Sequence, residues 1–237
     1  EGFFDMFEVV IQLGAILAVV VLYFKNIWPI KKQKTKHSEG FGVDKNILNL
    51  WGKILVACIP AAIVGILFDD LLDKYLYNSW VVATMLIVVG IAFILIENRK
   101  KGDKSRVNEI SDLTYKDALI IGLFQLIAAI LPGTSRSGAT IIGALLIGIS
   151  RTVAAEYTFY LAIPVMFGAS LLKILKFGLS FTGMELAVLL IGMIVAFLVS
   201  IFVIKFLMNY IKKHDFKVFG WYRIVLGIIV LILLGVM

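Results

Sequence analysis

The segment Pro132-Gly133-Thr134-Ser135-Arg136-Ser137-Gly138-Ala139-Thr140 gathers one guanidinium, four hydroxyls and two glycines into nine residues lying between apolar stretches. A fixed cation at membrane depth costs about 2.5 to 3.5 kcal/mol even on the translocon scale, so an anionic partner is expected for Arg136. Pro132 and Gly133 break the helix, and irregular backbone is tolerated at such depth only where protein buries it or water lines it. A helix starting near Ser135 then directs its unpaired amides and positive dipole end into the same space, which makes an anion site. Arg136 adds a planar fork of donors suited to phosphate oxygens. Thr140, about one turn along, has a hydroxyl on the same face as Arg136, and Gly138 permits close backbone approach. The blander reading has Ser and Thr bonding helix backbone in a kink while Arg136 pairs with a buried carboxylate such as Glu8 or Glu156. That explains one polar residue better than it explains six together. The chemistry pointed to is phosphate binding, and the pattern by itself is silent about turnover.

Smaller candidates surround this segment. Glu8 and Gln12 stand one turn apart on one face of the first apolar span, and an intramembrane acid is a functional suspect by default. Glu156 is a weaker candidate that also suits capping or pairing with Arg151. Gln125 precedes the loop on its first arm, where an amide would orient the loop or a water. Arg223, in the last span near its charged end, is expected to snorkel. Cys58 is the one cysteine, inside an apolar run, and makes no disulfide framework. The two histidines, His37 and His214, fall in charged loops.

The elements that must position these groups are membrane helices. The chain is 61% hydrophobic and 16% charged, against the roughly 25% charged content of a soluble domain, and its mean hydropathy is +0.99. Apolar runs of spanning length lie at about Met6 to Phe24, Leu50 to Phe68, Trp80 to Ile96, Thr152 to Leu175, Glu185 to Ile211 and Phe219 to Val236. Residues 118–149 are apolar at both ends but too short on either side of Pro132-Gly133 for two comfortable spans, and read as a re-entrant helical hairpin. The net charge of +7 sits in loops, as a positive-inside signal rather than a nucleic-acid surface. Lys25, Lys31, Lys32, Lys34, Lys36 and Lys45 place the first loop in the cytoplasm. Arg99, Lys100, Lys101, Lys104, Arg106 and Lys116 do so for the third, and Lys212, Lys213 and Lys217 for the last. Asp69, Asp70, Asp73 and Lys74 mark an outer loop, and Lys173 with Lys176 is the one discordant pair.

Because a hairpin returns to its starting side, the first three spans begin outside and the last three inside, the arrangement of an inverted-topology repeat. Val88-Val89-Gly90-Ile91 loosely echoes Val225-Leu226-Gly227-Ile228. The expected architecture is an all-α, single polytopic domain over residues 1–237. Unit one covers about 1–97, a cytoplasmic linker 98–117, and unit two 118–237. Unit two opens with a hairpin and unit one does not, so a partner hairpin is expected upstream of Glu1. No cleavable signal peptide is read at the start, where Asp5 and Glu8 replace a positive n-region.

The nine-residue segment resembles the Pro-Gly-x-Ser-Arg-Ser-Gly-Ala-Thr motif of the bacterial undecaprenyl pyrophosphate phosphatases, the bacitracin-resistance type. Phe7-Glu8-Val9-Val10-Ile11-Gln12-Leu13-Gly14, Leu67-Phe68-Asp69-Asp70 and Leu113-Thr114-Tyr115 are similar to further stretches of that family, so the resemblance covers the chain in order. It implies removal of the terminal phosphate from a C55-isoprenyl pyrophosphate, assisted by a divalent cation, Mg²⁺ or Ca²⁺. It also implies a multi-pass protein of the bacterial cytoplasmic membrane whose site faces the outer side.

Carried over by position, Ser135, Arg136 and Thr140 match phosphate-binding and catalytic places, and Gly133, Ser137 and Gln125 are the accompanying substrate-binding candidates. The family's first motif, Glu-rich and running into Pro-Val-Ser-Ser-Thr-Gly-His, is expected upstream of Phe7 and is not in this sequence. Metal ligands and the proton-handling histidine would come from there. Ser135 or an activated water is the nucleophile, and the sequence leaves both open. The expected partners are the polyprenyl pyrophosphate lipid and the bilayer, not nucleic acid, and a homodimer is compatible. The competing reading is a transporter or flippase of an anionic phospholipid, since broken helices in inverted repeats are also a transporter arrangement.

Overall fold

The computed structural model describes residues 2–35, 38–76, 78–100, 104–178 and 181–236, and at 31–35, 38–41, 66 and 68–76 it describes the backbone alone. Lys36, His37 and Lys101 lie outside the described residues.

Apolar runs become helices because no water at membrane depth can satisfy free backbone groups. The order is α1 (Gly2–Val10), α2 (Gln12–Leu22), α3 (Phe24–Ile27), β1 (Ile30–Thr35), β2 (Ser38–Val43), α4 (Lys45–Leu76), α5 (Ser79–Arg99), α6 (Tyr115–Ile130), α7 (Arg136–Leu146), α8 (Arg151–Phe177), α9 (Gly183–Ile211) and α10 (Lys217–Val236). Six stretches among the described residues are long and apolar enough to cross a membrane: Gly2–Leu22, Lys45–Gly65, Ser79–Arg99, Arg151–Phe177, Gly183–Ile211 and Lys217–Val236. Each overlaps one span read from the sequence, and the protein is a multi-pass membrane protein.

Two readings need correction. Residues 69–74 were expected to be a loop, but the helical backbone of α4 continues to Leu76. The 25–46 loop is not simply a charged connector. β1 and β2 pair antiparallel from Ile30↔Val43 to Thr35↔Ser38, a small ribbon beside an otherwise helical architecture.

The chain divides into two compact units, Glu1–Gly52 with Phe159–Asn209, and Lys53–Thr158 with Tyr210–Met237. Each takes helices from both halves of the sequence. In the first unit, Met6, Val10 and Leu189 form a core, with Phe3, Phe7, Phe177 and Met193 against it. α1 gives way to α2 at Ile11, where the Gly14 amide bonds the Ile11 carbonyl at 3.0 Å, a tightened i to i+3 turn. The Ser170 hydroxyl donates to the Val9 carbonyl at 3.2 Å.

The second unit contains the interrupted segment. α6 and α7 pack against each other as a hairpin, α5 packs along α10, and Tyr157 of α8 donates its hydroxyl to the Lys53 carbonyl of α4 at 2.9 Å.

Candidate phosphate site

The hairpin is fastened first at its base. Thr114 and Asp117 form a capping box at the start of α6, the Thr114 hydroxyl accepting from the Asp117 amide while the Asp117 carboxylate accepts from the Thr114 amide. Arg106 donates to Asp117 Oδ1 at 2.5 Å and to the Ile147 carbonyl at 3.2 Å, so one side chain holds both arms. Burial would push the Asp117 carboxyl up. The Thr114 amide, Arg106 and the Thr114 hydroxyl outweigh it and hold the group below the ordinary carboxylate range.

Beside this lies a second fastening. Glu97 of α5 has a fully buried side chain that accepts from Arg151 Nε at 2.9 and 3.0 Å and from the Phe216 amide at 3.0 Å. It therefore joins the starts of α8 and α10 to α5. Arg151 was expected to suit Glu156, but its carboxylate is that of Glu97, 54 residues away in sequence.

From this base the hairpin reaches to the other end of α5. At the tip, Gly133 has φ of +85° and lies so close to α5 that an added Cβ would be 2.5 Å from the Val82 carbonyl oxygen. Val82 is three residues from the Ser79 end of α5. Only glycine satisfies both the left-handed backbone and that approach. Ser135 follows with φ of 63° and ψ of 115°, the sole non-glycine positive φ among the described residues. Such strain persists only where the surroundings impose it.

Ser135 is also the N-cap of α7, its hydroxyl accepting from the Gly138 amide at 3.3 Å and lying 3.2 Å from the Ser137 hydroxyl. Ser137 is exposed, and Ser135 and Arg136 are half-buried. The amides of the first turn of α7 have no intrahelical partner by construction. The Arg136 guanidinium has no hydrogen bond or ion pair among the described residues, and the Cys58 side chain is near enough to interact with it electrostatically. Hydroxyls, free amides and an uncommitted cation thus meet at one helix terminus, which suits the oxygens of a phosphate group.

Three other expectations fare differently. Arg223 does not snorkel. Its Nη2 donates to the Gly133 carbonyl at 2.6 Å and to the Thr134 carbonyl at 2.9 Å, clamping the strained loop through two consecutive acceptors. Sequence reasoning missed this role, and an arginine inside an apolar span was the signal for it. Thr140 is fully buried, with its hydroxyl 3.1 Å from the Arg136 carbonyl, 3.0 Å from the Ser137 carbonyl and 2.9 Å from the Thr158 hydroxyl. One proton serves that cluster, so the hydroxyl secures the first turn of α7 from within. Gln125 is buried on α6 with both amide atoms lacking a partner.

Glu8 and Gln12 belong to the other compact unit. Glu8 is exposed, and the Gln12 amide donates to its carbonyl at 3.2 Å. His214 is exposed, stacked on Tyr210 at 4.4 Å. Among the described residues no group of three His, Cys, Asp or Glu side chains could hold a metal ion. The residues present therefore do not fit the divalent cation that the resemblance implies.

The family model described as "Bacitracin resistance protein BacA" matches residues 1–229. The chain is 62% identical over 231 residues to an undecaprenyl-diphosphatase of Desulfitobacterium hafniense, covering 98% of this chain and 81% of that protein. It is 61% identical over 232 residues to undecaprenyl-diphosphatase 1 of Clostridium acetobutylicum, covering 98% and 83%. It is 58% identical over 236 residues to an undecaprenyl-diphosphatase of Enterococcus faecalis, covering 100% and 84%. With its anion-binding helix terminus and near full-length similarity to these proteins, the chain belongs to the bacitracin resistance protein BacA family.

Proposed function

We propose that this chain removes the terminal phosphate of undecaprenyl pyrophosphate, leaving the monophosphate and returning the carrier lipid to cell-wall synthesis. The observation that carries this reading is the Arg136 guanidinium, without a hydrogen bond or ion pair among the described residues, beside the Ser135 and Ser137 hydroxyls at the N-terminus of α7. Family membership and the names of the relatives support it. Arg136 and the first amides of α7 hold phosphate oxygens and stabilise the charge that develops during transfer. Gly133 shapes the loop, Ser137 adds a donor at the exposed rim, and Thr140 keeps the first turn of α7 in register from behind. Ser135 or a water attacks phosphorus. Since the described residues offer no carboxylate cluster for Mg²⁺ or Ca²⁺, these steps rest on the protein groups alone.

The α6–α7 hairpin is re-entrant in this reading, entering and leaving on the cytoplasmic side of the bacterial inner membrane and presenting its tip toward the outer side. Two inverted repeats are supported by the contact of α5 with α10. The echo between Val88-Val89-Gly90-Ile91 and Val225-Leu226-Gly227-Ile228 equates Gly90 with Gly227, and thereby Ala83 with Gly220. Gly90 meets Gly220, and Gly227 meets Ala83. A two-fold axis between the helices exchanges these two contacts.

The test is phosphate release from the pyrophosphate lipid by the full-length protein in detergent. Arg136→Ala is expected to lower the rate by about 10²- to 10³-fold, the usual loss for one transition-state donor. Undiminished release from that variant, or lipid movement across vesicles without release, would overturn the assignment in favour of a carrier.

A further inference from the structure

Gln125 is 2% exposed, and both its Oε1 and its Nε2 are buried without a hydrogen-bond partner. Its amide carries two donors and two acceptor sites, and burial of such a group unpaired is unfavourable. Other buried polar side chains in this unit are engaged. Glu97 holds Arg151, Asp117 holds Arg106, and Thr140 meets Thr158. The remaining unpartnered buried atoms are Thr134 Oγ1 and Arg223 Nε, both at the loop of the phosphate site. The exceptions to polar pairing therefore gather at the hairpin rather than scatter through the molecule.

Helix register places Gln125 toward the same site. Gly122 packs so closely on α4 that an added Cβ would lie 2.5 Å from the Ala57 carbonyl oxygen. Gln125 is one turn farther along α6 toward the loop, on the same face. Cys58, next to Ala57, is the side chain that interacts electrostatically with Arg136. The interhelical space shared by α4, α6 and α7 thus takes the Gln125 amide from one side and the Arg136 guanidinium from another.

We infer that Gln125 seats a buried water at the closed end of the phosphate site and presents it to the terminal phosphorus. A neutral amide suits that ligand, since it can accept from the water and donate to its oxygen at once, whereas the phosphate oxygens already have Arg136 and the α7 amides. This deepens the phosphatase reading and rests on it. In the reaction, the water oxygen forms the new bond to the terminal phosphorus as the bridging P–O bond breaks. The bond's electron pair leaves with the lipid monophosphate, and both water protons end on the released inorganic phosphate. Gln125 is a positioning residue in this step, acting through the water.

The test compares full-length wild-type protein with Gln125→Leu in detergent, using the pyrophosphate lipid as substrate. Leucine removes the unpaired amide at similar volume, so its melting temperature is expected to equal or exceed that of wild type. Its kcat is expected to fall by about 10²-fold, the scale of a misplaced reactant, with KM for the lipid unchanged. Unchanged kcat overturns the inference, as does a raised KM with kcat retained, which would make Gln125 a lipid contact. If the variant does not fold, an experimental structure of the wild-type protein that resolves ordered solvent decides. Water within hydrogen-bonding distance of both amide atoms is expected, and a dry amide refutes the idea. Wild-type protein that releases no phosphate would instead sink the phosphatase reading itself.

Discussion

Ser135 combines two properties that usually exclude each other, a side chain and a φ of 63°. Backbone strain of this kind costs about 1 to 3 kcal/mol, whereas replacing a serine N-cap by glycine costs only a few tenths. Ser135→Gly should therefore raise the melting temperature of the full-length protein. It should also lower phosphate release, because the hydroxyl beside Ser137 and the imposed loop shape go together. A variant that is both more stable and fully active would show that the strained serine has no part in turnover. The motif itself was legible in the sequence, because a cation, hydroxyls and helix breakers carry their chemistry wherever they stand. Arg223 and Thr140 were not read correctly, for a common reason. The acceptor of Arg223 is 90 residues away in the chain, and the hydroxyl that meets Thr140 is 18 residues away. Helical spacing shows which face a side chain shares. It does not show which distant group arrives there.

The two fastenings at the hairpin base are the elements' own means of aiming the loop. Arg151→Met would leave the Glu97 carboxylate buried with the Phe216 amide as its remaining donor, and breaking one partner of a buried pair costs about 3 to 5 kcal/mol. A large drop in melting temperature is expected, with part of it restored in the Arg151→Met, Glu97→Leu double variant. Additive losses would mean the pair is not the latch. The Asp117 fastening adds a pH dependence. Its carboxyl is held below its ordinary value in the folded state, so its contribution is complete above the unfolded-state pKa and disappears as pH falls through the folded one. Wild type should accordingly lose its stability advantage over Asp117→Asn on acidification, and keep it unchanged on going from neutral to mildly alkaline pH. The spans were legible because 18 or more apolar residues have few alternatives in a bilayer. The ribbon of β1 and β2 was not, since Ile30-Lys31-Lys32-Gln33-Lys34-Thr35 lacks the apolar alternation that marks a strand. Acidic residues suggested a loop at 69–74, yet charge does not end a helix that has left the apolar layer.

For the whole molecule, the exposed surface decides the solvent. Met184 is 76% exposed and Phe202 75%, and α9 averages a hydropathy of 3.1 over its most apolar window. An apolar surface of that extent is a liability in water and ordinary against lipid. What lipid exposure leaves open is the number of crossings, which the α6–α7 hairpin determines. If the hairpin enters and leaves on one side, Ser79 and Lys213 are separated by three crossings, α5, α8 and α9, and lie on opposite faces. If α6 and α7 together make a single crossing, four intervene and both residues face the same way. In a Cys58→Ala background, Ser79→Cys is expected to react with a membrane-impermeant thiol reagent added to intact cells, and Lys213→Cys only after the membrane is opened. Labelling of both from outside, or of neither, would refute the re-entrant hairpin and with it the inverted repeat. The lysine-rich loops favour opposite faces, since Lys212, Lys213 and Lys217 share the positive character of the loop that follows α5.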